Sequence, residues 1–262
     1  MTSAAFDVLT LEQLTIEDEP SFRHVGLYAD LREVLVKARY PFRVMKPGPA
    51  ARPDRALLLN LTYWGAEQGG DVLVDACIPA DVVAHAAWHH LAARAMPSPN
   101  GKPSVTSMFV GEAIASAFDV YLVGRLLGHA PDSGFLESQV PRMADTALDA
   151  GLSEEDFEEL LQGLARDPDR AFTALYSLLV DATAALFGAD TAEAGHAALA
   201  ALDQRPLASL LHRFELSNWV LYARAFGDAS PDARATSIDR AIREAPVSLD
   251  WLEREWVRPA LG

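Results

Sequence analysis

The run VGEAIASAFDVYLVGRLL, residues 110–127, is apolar on most faces of a helix, yet it carries Glu112 and Asp119. Its composition demands a protein interior. A buried carboxylate is costly unless it is paired, hydrogen-bonded or bound to a cation. Whatever fold this chain adopts must therefore bring positive charge, donors or a metal to this helix. Glu112, Ser116 and Asp119 lie at i, i+4 and i+7, so both acids share one stripe of it.

A partner for that stripe lies just upstream. Pro79 suits the first turn of a helix running to about Met96, and on it Asp81, His85 and His89 recur at i, i+4 and i+8. His90 points about 100° away from His89, so it is a poor co-ligand. Two histidines at i and i+4 are the helical half of a zinc site. With Glu112 from the next helix they make a two-histidine, one-glutamate set, which leaves one coordination position for water. The same triad with open positions suits non-haem Fe(II). The alternative is an Ala-rich amphipathic helix whose histidines occur by chance, with Glu112 paired to Arg94 or Arg125.

The segment from DVLVDACIPADVVAHAAWHH through VGEAIASAFD resembles the gluzincin branch of the zincin metallopeptidases. The resemblance covers roughly 50 residues. It implies a sheet, a helix with two zinc histidines (His85 and His89), a helix with a zinc glutamate (Glu112), and a mostly helical remainder. It also implies that Asp119 or Asp81 holds a ligating imidazole from outside the metal's own ligands. One departure stands out. In the family pattern the residue after the first histidine is the glutamate that activates water, and here it is Ala86. Alanine cannot accept a proton, and a lost general base costs about 10²–10⁴ in rate. The resemblance thus implies a zinc protein without conventional peptidase activity.

The other features set bounds. The chain has 262 residues, half of them hydrophobic, enough for one large domain or two small ones. Its net charge of −15, from 22 basic and 37 acidic residues, argues against nucleic acid or an anionic membrane surface as partner. Cys77 is the only cysteine, which rules out an intrachain disulfide and fits a cytoplasmic setting. The first twenty residues lack the basic start of a secretory signal. The apolar run AFTALYSLLVDATAALFG contains Asp181 and reads as a core helix rather than a bilayer span.

Along the chain, residues 21–38 show helical spacing through Val25, Tyr28, Leu31 and Leu35. Three strand-like runs follow, PFRVM, RALLLNLTYW and DVLVDA, the last two joined by GAEQGG as a hairpin. Helix starts are expected at Ser104, Ser153, Asp190, Pro206, Ser230–Pro231 and Ser248, and Gly227 is expected to end one. The prediction is an α+β protein: an N-terminal α/β subdomain over 1–78 with three short strands, then a mainly helical, zincin-like bundle over 79–262, packed as one compact domain.

The segment PLASLLHRFELSNWVLYARAFG places His212, Glu215, Trp219 and Tyr222 on nearby helical stripes, making His212 and Tyr222 candidate cleft residues. His24, His129 and His196 read as surface or capping residues. No nucleotide-binding glycine motif or nucleophile elbow is present. Four functions stay open: a zincin-like protein whose metal does other chemistry, a pseudo-peptidase that binds a peptide, protein or small molecule, a non-haem iron enzyme, and a metal-free helical interaction domain.

Overall fold

The computed structural model describes residues 6–49, 51–63, 71–98 and 101–262. The chain begins with β1 (Phe6–Leu9), a 3₁₀ turn (Leu11–Gln13), β2 (Thr15–Glu17) and the short α1 (Glu19–Phe22). Then come α2 (Gly26–Ala38), β3 (Phe42–Met45), α3 (Pro53–Tyr63), β4 (Val72–Leu73) and β5 (Cys77–Pro79). β3 sits between β1, antiparallel to it, and β4, parallel to it; β2 and β5 form a separate parallel pair. The architecture is α+β and mainly helical, as expected. The helix expected over 21–38 is divided between α1 and α2, and Val25, Tyr28, Leu31 and Leu35 are all buried.

One of the three expected strands is instead a helix. RALLLNLTY falls in α3, and Trp64 and the proposed hairpin GAEQGG lie outside the described residues. The run is rich in leucine, a good helix former, and poor in β-branched residues. Pro53 opens the helix and Asp54 sits in its first turn, where an acid complements the helix dipole. Asn60 makes the link to the sheet. Its side-chain amide donates to the Val72 carbonyl at 3.1 Å and accepts from the Val72 amide at 2.6 Å. A side chain thus satisfies a strand edge that a neighbouring strand was expected to fill.

The rest is helical: α4 (Ala80–Ala95), α5 (Val105–Leu127), α6 (Gly134–Asp149), α7 (Glu154–Arg166), α8 (Pro168–Phe187), α9 (Ala192–Ala200), α10 (Arg213–Phe226), α11 (Ala233–Glu244), α12 (Ser248–Leu252), a π-helical turn (Glu253–Val257) and α13 (Arg258–Leu261). Ser104 and Ser153 cap α5 and α7 as expected, and Gly227 ends α10. Other starts shift by one to several residues. Thr191, not Asp190, caps α9. Pro206 leads only into a 3₁₀ turn (Ala208–Leu210), and α10 starts later with His212 as its cap. Asp232 caps α11, and Ser248 is the first residue of α12, its hydroxyl donating to the Ile242 carbonyl. At α9, α10 and α11 a nearby side chain meets the free helix amides in place of the one expected, whereas α12 starts without a side-chain cap.

α5 is the axis of the bundle, lying against α4, α7 and α8. Both α5 and α8 are long and apolar enough to cross a membrane, but 83 % of the most apolar window of α5 is covered by the protein itself, which makes it a core helix. Its start is fixed by Ser104, whose hydroxyl accepts from the Ser107 amide and donates to Asp232, the cap of α11. Near its other end, Gly124 permits close approach. A Cβ there would sit 2.4 Å from the Leu164 carbonyl oxygen and 3.2 Å from Pro168, where α7 passes into α8. At Gly111 the nearest atom would be the Ala92 Cβ at 3.5 Å, an ordinary contact. Gly124→Ala is therefore expected to destabilise by about 1–3 kcal/mol through overpacking. Gly111→Ala should be neutral or gain up to about 1 kcal/mol from helix propensity. Denaturant melts of the two variants check the contrast.

Candidate metal centre

β5 runs directly into α4 and fixes where that helix begins. Pro79 stands at the cap position, and Asp81 lies in the first turn, where a negative charge is favoured. From there the helical repeat carries His85 and His89 onto one side of α4, their rings 4.8 Å apart. Beside them Trp88 is fully enclosed and meets the Phe118 ring edge-on at 5.4 Å, pinning α4 to α5.

α5 supplies the third group. Ligand atoms from His85, His89 and Glu112, one each, all lie within 4.8 Å of one another. His89 Nε2 is 3.3 Å from Glu112 Oε1. Two atoms bound to one zinc at about 2.0–2.1 Å, at the tetrahedral angle, are themselves about 3.3–3.4 Å apart. The pair is thus spaced as two ligands of one ion. Among the described residues, Glu112 makes its close contact with His89 and no ion pair with Arg94 or Arg125. The residues present fit a metal with nitrogen and oxygen ligands.

Asp119 takes the place expected of a supporting carboxylate. Its Oδ2 lies 3.3 Å from His85 Nδ1, which leaves Nε2 as the nitrogen for a metal. Asp81, the other candidate, acts on His85 by charge. The side chains of His85, Asp119 and His89 keep 33 %, 31 % and 21 % exposure, while Glu112 keeps 9 %. Structural zinc sites are closed by four protein ligands; this triad is deep at the glutamate and open to water at the histidines. Ala86, where the peptidase pattern has its base, is 1 % exposed and packed in the core.

Two acids not read as site residues face the same region. Asp71, just before β4, accepts from the Tyr40 hydroxyl at 3.3 Å, and its charge acts on both His85 and Glu112. Glu215, in the first turn of α10, also acts on Glu112. Asp71 lay in a run read as a plain strand. In the sequence Glu215 stands out only as a neighbour of His212, and nothing local tells which α10 residue reaches α5. Of the two candidate cleft residues, His212 caps α10, accepting from the Glu215 amide at 3.3 Å, and is not part of the ligand cluster. Tyr222 lies with its ring 4.7 Å from that of Phe226. His24, His129 and His196 are exposed, as expected.

The electrostatics follow from two histidines set among five carboxylates. Burial disfavours charge on His85, but Asp119, then Glu112 and Asp71, outweigh it and lift its pKa to about 10. Burial and the charge of His85 push His89 down to about 3. Burial pushes Glu112 up to about 8 against the favourable charge of His85. Asp81 rises to about 6, from burial and then from Asp119. Desolvation raises Glu215 as well. Without a cation this cluster retains protons; a metal that binds here displaces them.

No family model matches this chain, and no curated protein or solved structure does either.

The shifts predict a pH dependence of stability. Glu112 is raised from 4.5 to about 8 and His85 from 6.5 to about 10, so the folded metal-free protein binds more protons than the unfolded chain above pH 6.5. Stability must fall as pH rises through that range. His89, lowered from 6.5 to about 3, acts in the opposite sense, but only below 6.5. Thermal melts of metal-free protein are expected to decline above pH 6.5, with a shallower decline for Glu112→Gln. A profile flat from 6.5 to 9 in both would contradict the assignment.

Proposed function

We propose that this chain is a zincin-like metal-binding protein that holds one zinc ion through His85, His89 and Glu112, without conventional peptidase activity. The observation that carries the reading is the convergence of three ligand atoms within 4.8 Å on two adjacent helices. The order of elements supports it: short strands, a two-histidine helix, a glutamate helix and a helical remainder. Zinc bound there supplies Lewis acidity and a water acidified to about pKa 7. Asp119 holds His85, and the partial exposure of the histidines leaves room for a water or a ligand. Buried Ala86 cannot take the proton that peptide hydrolysis requires. A cytoplasmic setting belongs to the same proposal.

A second reading, a pseudo-peptidase that binds a peptide or protein, is favoured by α10. That helix exposes Phe214, Leu221 and Phe226, and its first turn carries Glu215, whose charge reaches Glu112. Apolar side chains exposed along a helix suit apolar side chains of a bound segment.

The test is elemental analysis of the purified chain beside the His85→Ala, His89→Ala double variant. About one zinc per chain, lost in the double variant, is the expected result. Iron in place of zinc would move the assignment to the two-histidine, one-carboxylate iron class. No metal in the wild-type chain, even after incubation with zinc, would overturn the site. A panel of peptide substrates is expected to show no turnover, and binding of such peptides without cleavage would select the second reading.

A further inference from the structure

The far end of α4 borders a second concavity, separate from the metal centre. A groove of about 410 Å³ lies between the last turns of α4, the first turns of α11, and the chain from α12 to α13. Its walls include Trp251, Trp256 and Ile238, with Arg94 and Arg234 contributing two guanidinium groups. The indoles are 6.3 Å apart and meet edge to face. Trp256 belongs to the π-helical turn Glu253–Val257, a rare backbone form that recurs at functional sites.

Charge selects what this groove takes. Neither Arg94 nor Arg234 makes an ion pair among the described residues, in a chain whose net charge is −15. The acid on the wall, Glu255, is engaged with Arg254 at 2.8 Å. Arginine presents a planar fork of donors that matches a carboxylate with two parallel hydrogen bonds. Indole faces and edges favour a flat apolar body. The volume lies in the range of small-ligand pockets.

We infer that this groove is a binding site for a small aromatic carboxylate, with the ring against Trp251 and Trp256 and the carboxylate toward Arg94 and Arg234. The site takes its ligand independently of the metal centre.

Calorimetric titration of the full chain with 2-naphthoate tests this, with neutral 2-naphthamide as the matched probe. Saturable binding of the naphthoate is expected, at least about tenfold tighter than the amide. The Arg94→Ala, Arg234→Ala double variant should lose a similar factor; both residues are exposed and make no ion pair among the described residues, so its melting temperature should match wild type. The His85→Ala, His89→Ala variant should bind as wild type does. No saturable binding, equal affinity for acid and amide, or an unchanged affinity in the arginine variant would each overturn the assignment. So would loss of binding in the histidine variant, which would place the carboxylate on the metal centre. Should the arginine variant fold poorly, the acid–amide comparison on wild type decides.

Discussion

The carboxylate of Glu112 sits near the start of a helix with protein on almost every side, and much of the molecule is arranged around that fact. Burial raises its proton affinity, and the group it meets is His89 at 3.3 Å. One stripe along, Asp119 meets His85 at the same distance. Each acid of α5 is thus answered by a histidine of α4, and Trp88 against Phe118 holds the two helices together beside them. Asp71 and Glu215 add negative charge from other elements. So many carboxylates around two imidazoles form a cluster that could hold a metal ion, and without a cation it retains protons instead.

The helices were legible because their signals are local. Serine caps and period-3.6 burial fix α5 and α7 closely, while for α10 the glycine stop was legible and the start, seven residues after Pro206, was not. The triad was legible for the same reason: His85 and His89 share a face by helix geometry alone, and a buried glutamate on the next helix needs a partner. What local signals could not supply was pairing. RALLLNLTYW alternates enough to pass for a strand, but its edge contact with β4 comes from the Asn60 side chain. Strand β1 was not read at all, because its value lies in pairing with β3, more than thirty residues away. Asp71 and Glu215 were missed as site residues on similar grounds, since tertiary packing alone brings them to α4 and α5.

The cap shifts show the limit of composition at helix ends. At α9, α10 and α11 several polar residues compete within four positions, and the winner is the one whose oxygen or nitrogen meets the first free amides. The choice matters functionally only at α10. There His212 takes the cap, which commits its Nδ1 to the backbone and leaves Glu215 as the residue of that turn whose charge reaches Glu112.

The packing of α4 on α5 has a further consequence. Ala92 lies one turn beyond His89, and Gly111 immediately precedes Glu112, so the two smallest side chains face each other at the level of the ligands. The space between them would still admit a methyl group, so the separation of the two backbones, and with it the span between an imidazole on one helix and a carboxylate on the other, rests on bulkier contacts such as Trp88 against Phe118. The centre behaves like a caliper whose jaws are His89 and Glu112 and whose stop is an indole against a phenyl ring. Selection by ionic radius would then be a property of a helix crossing rather than of the ligands themselves.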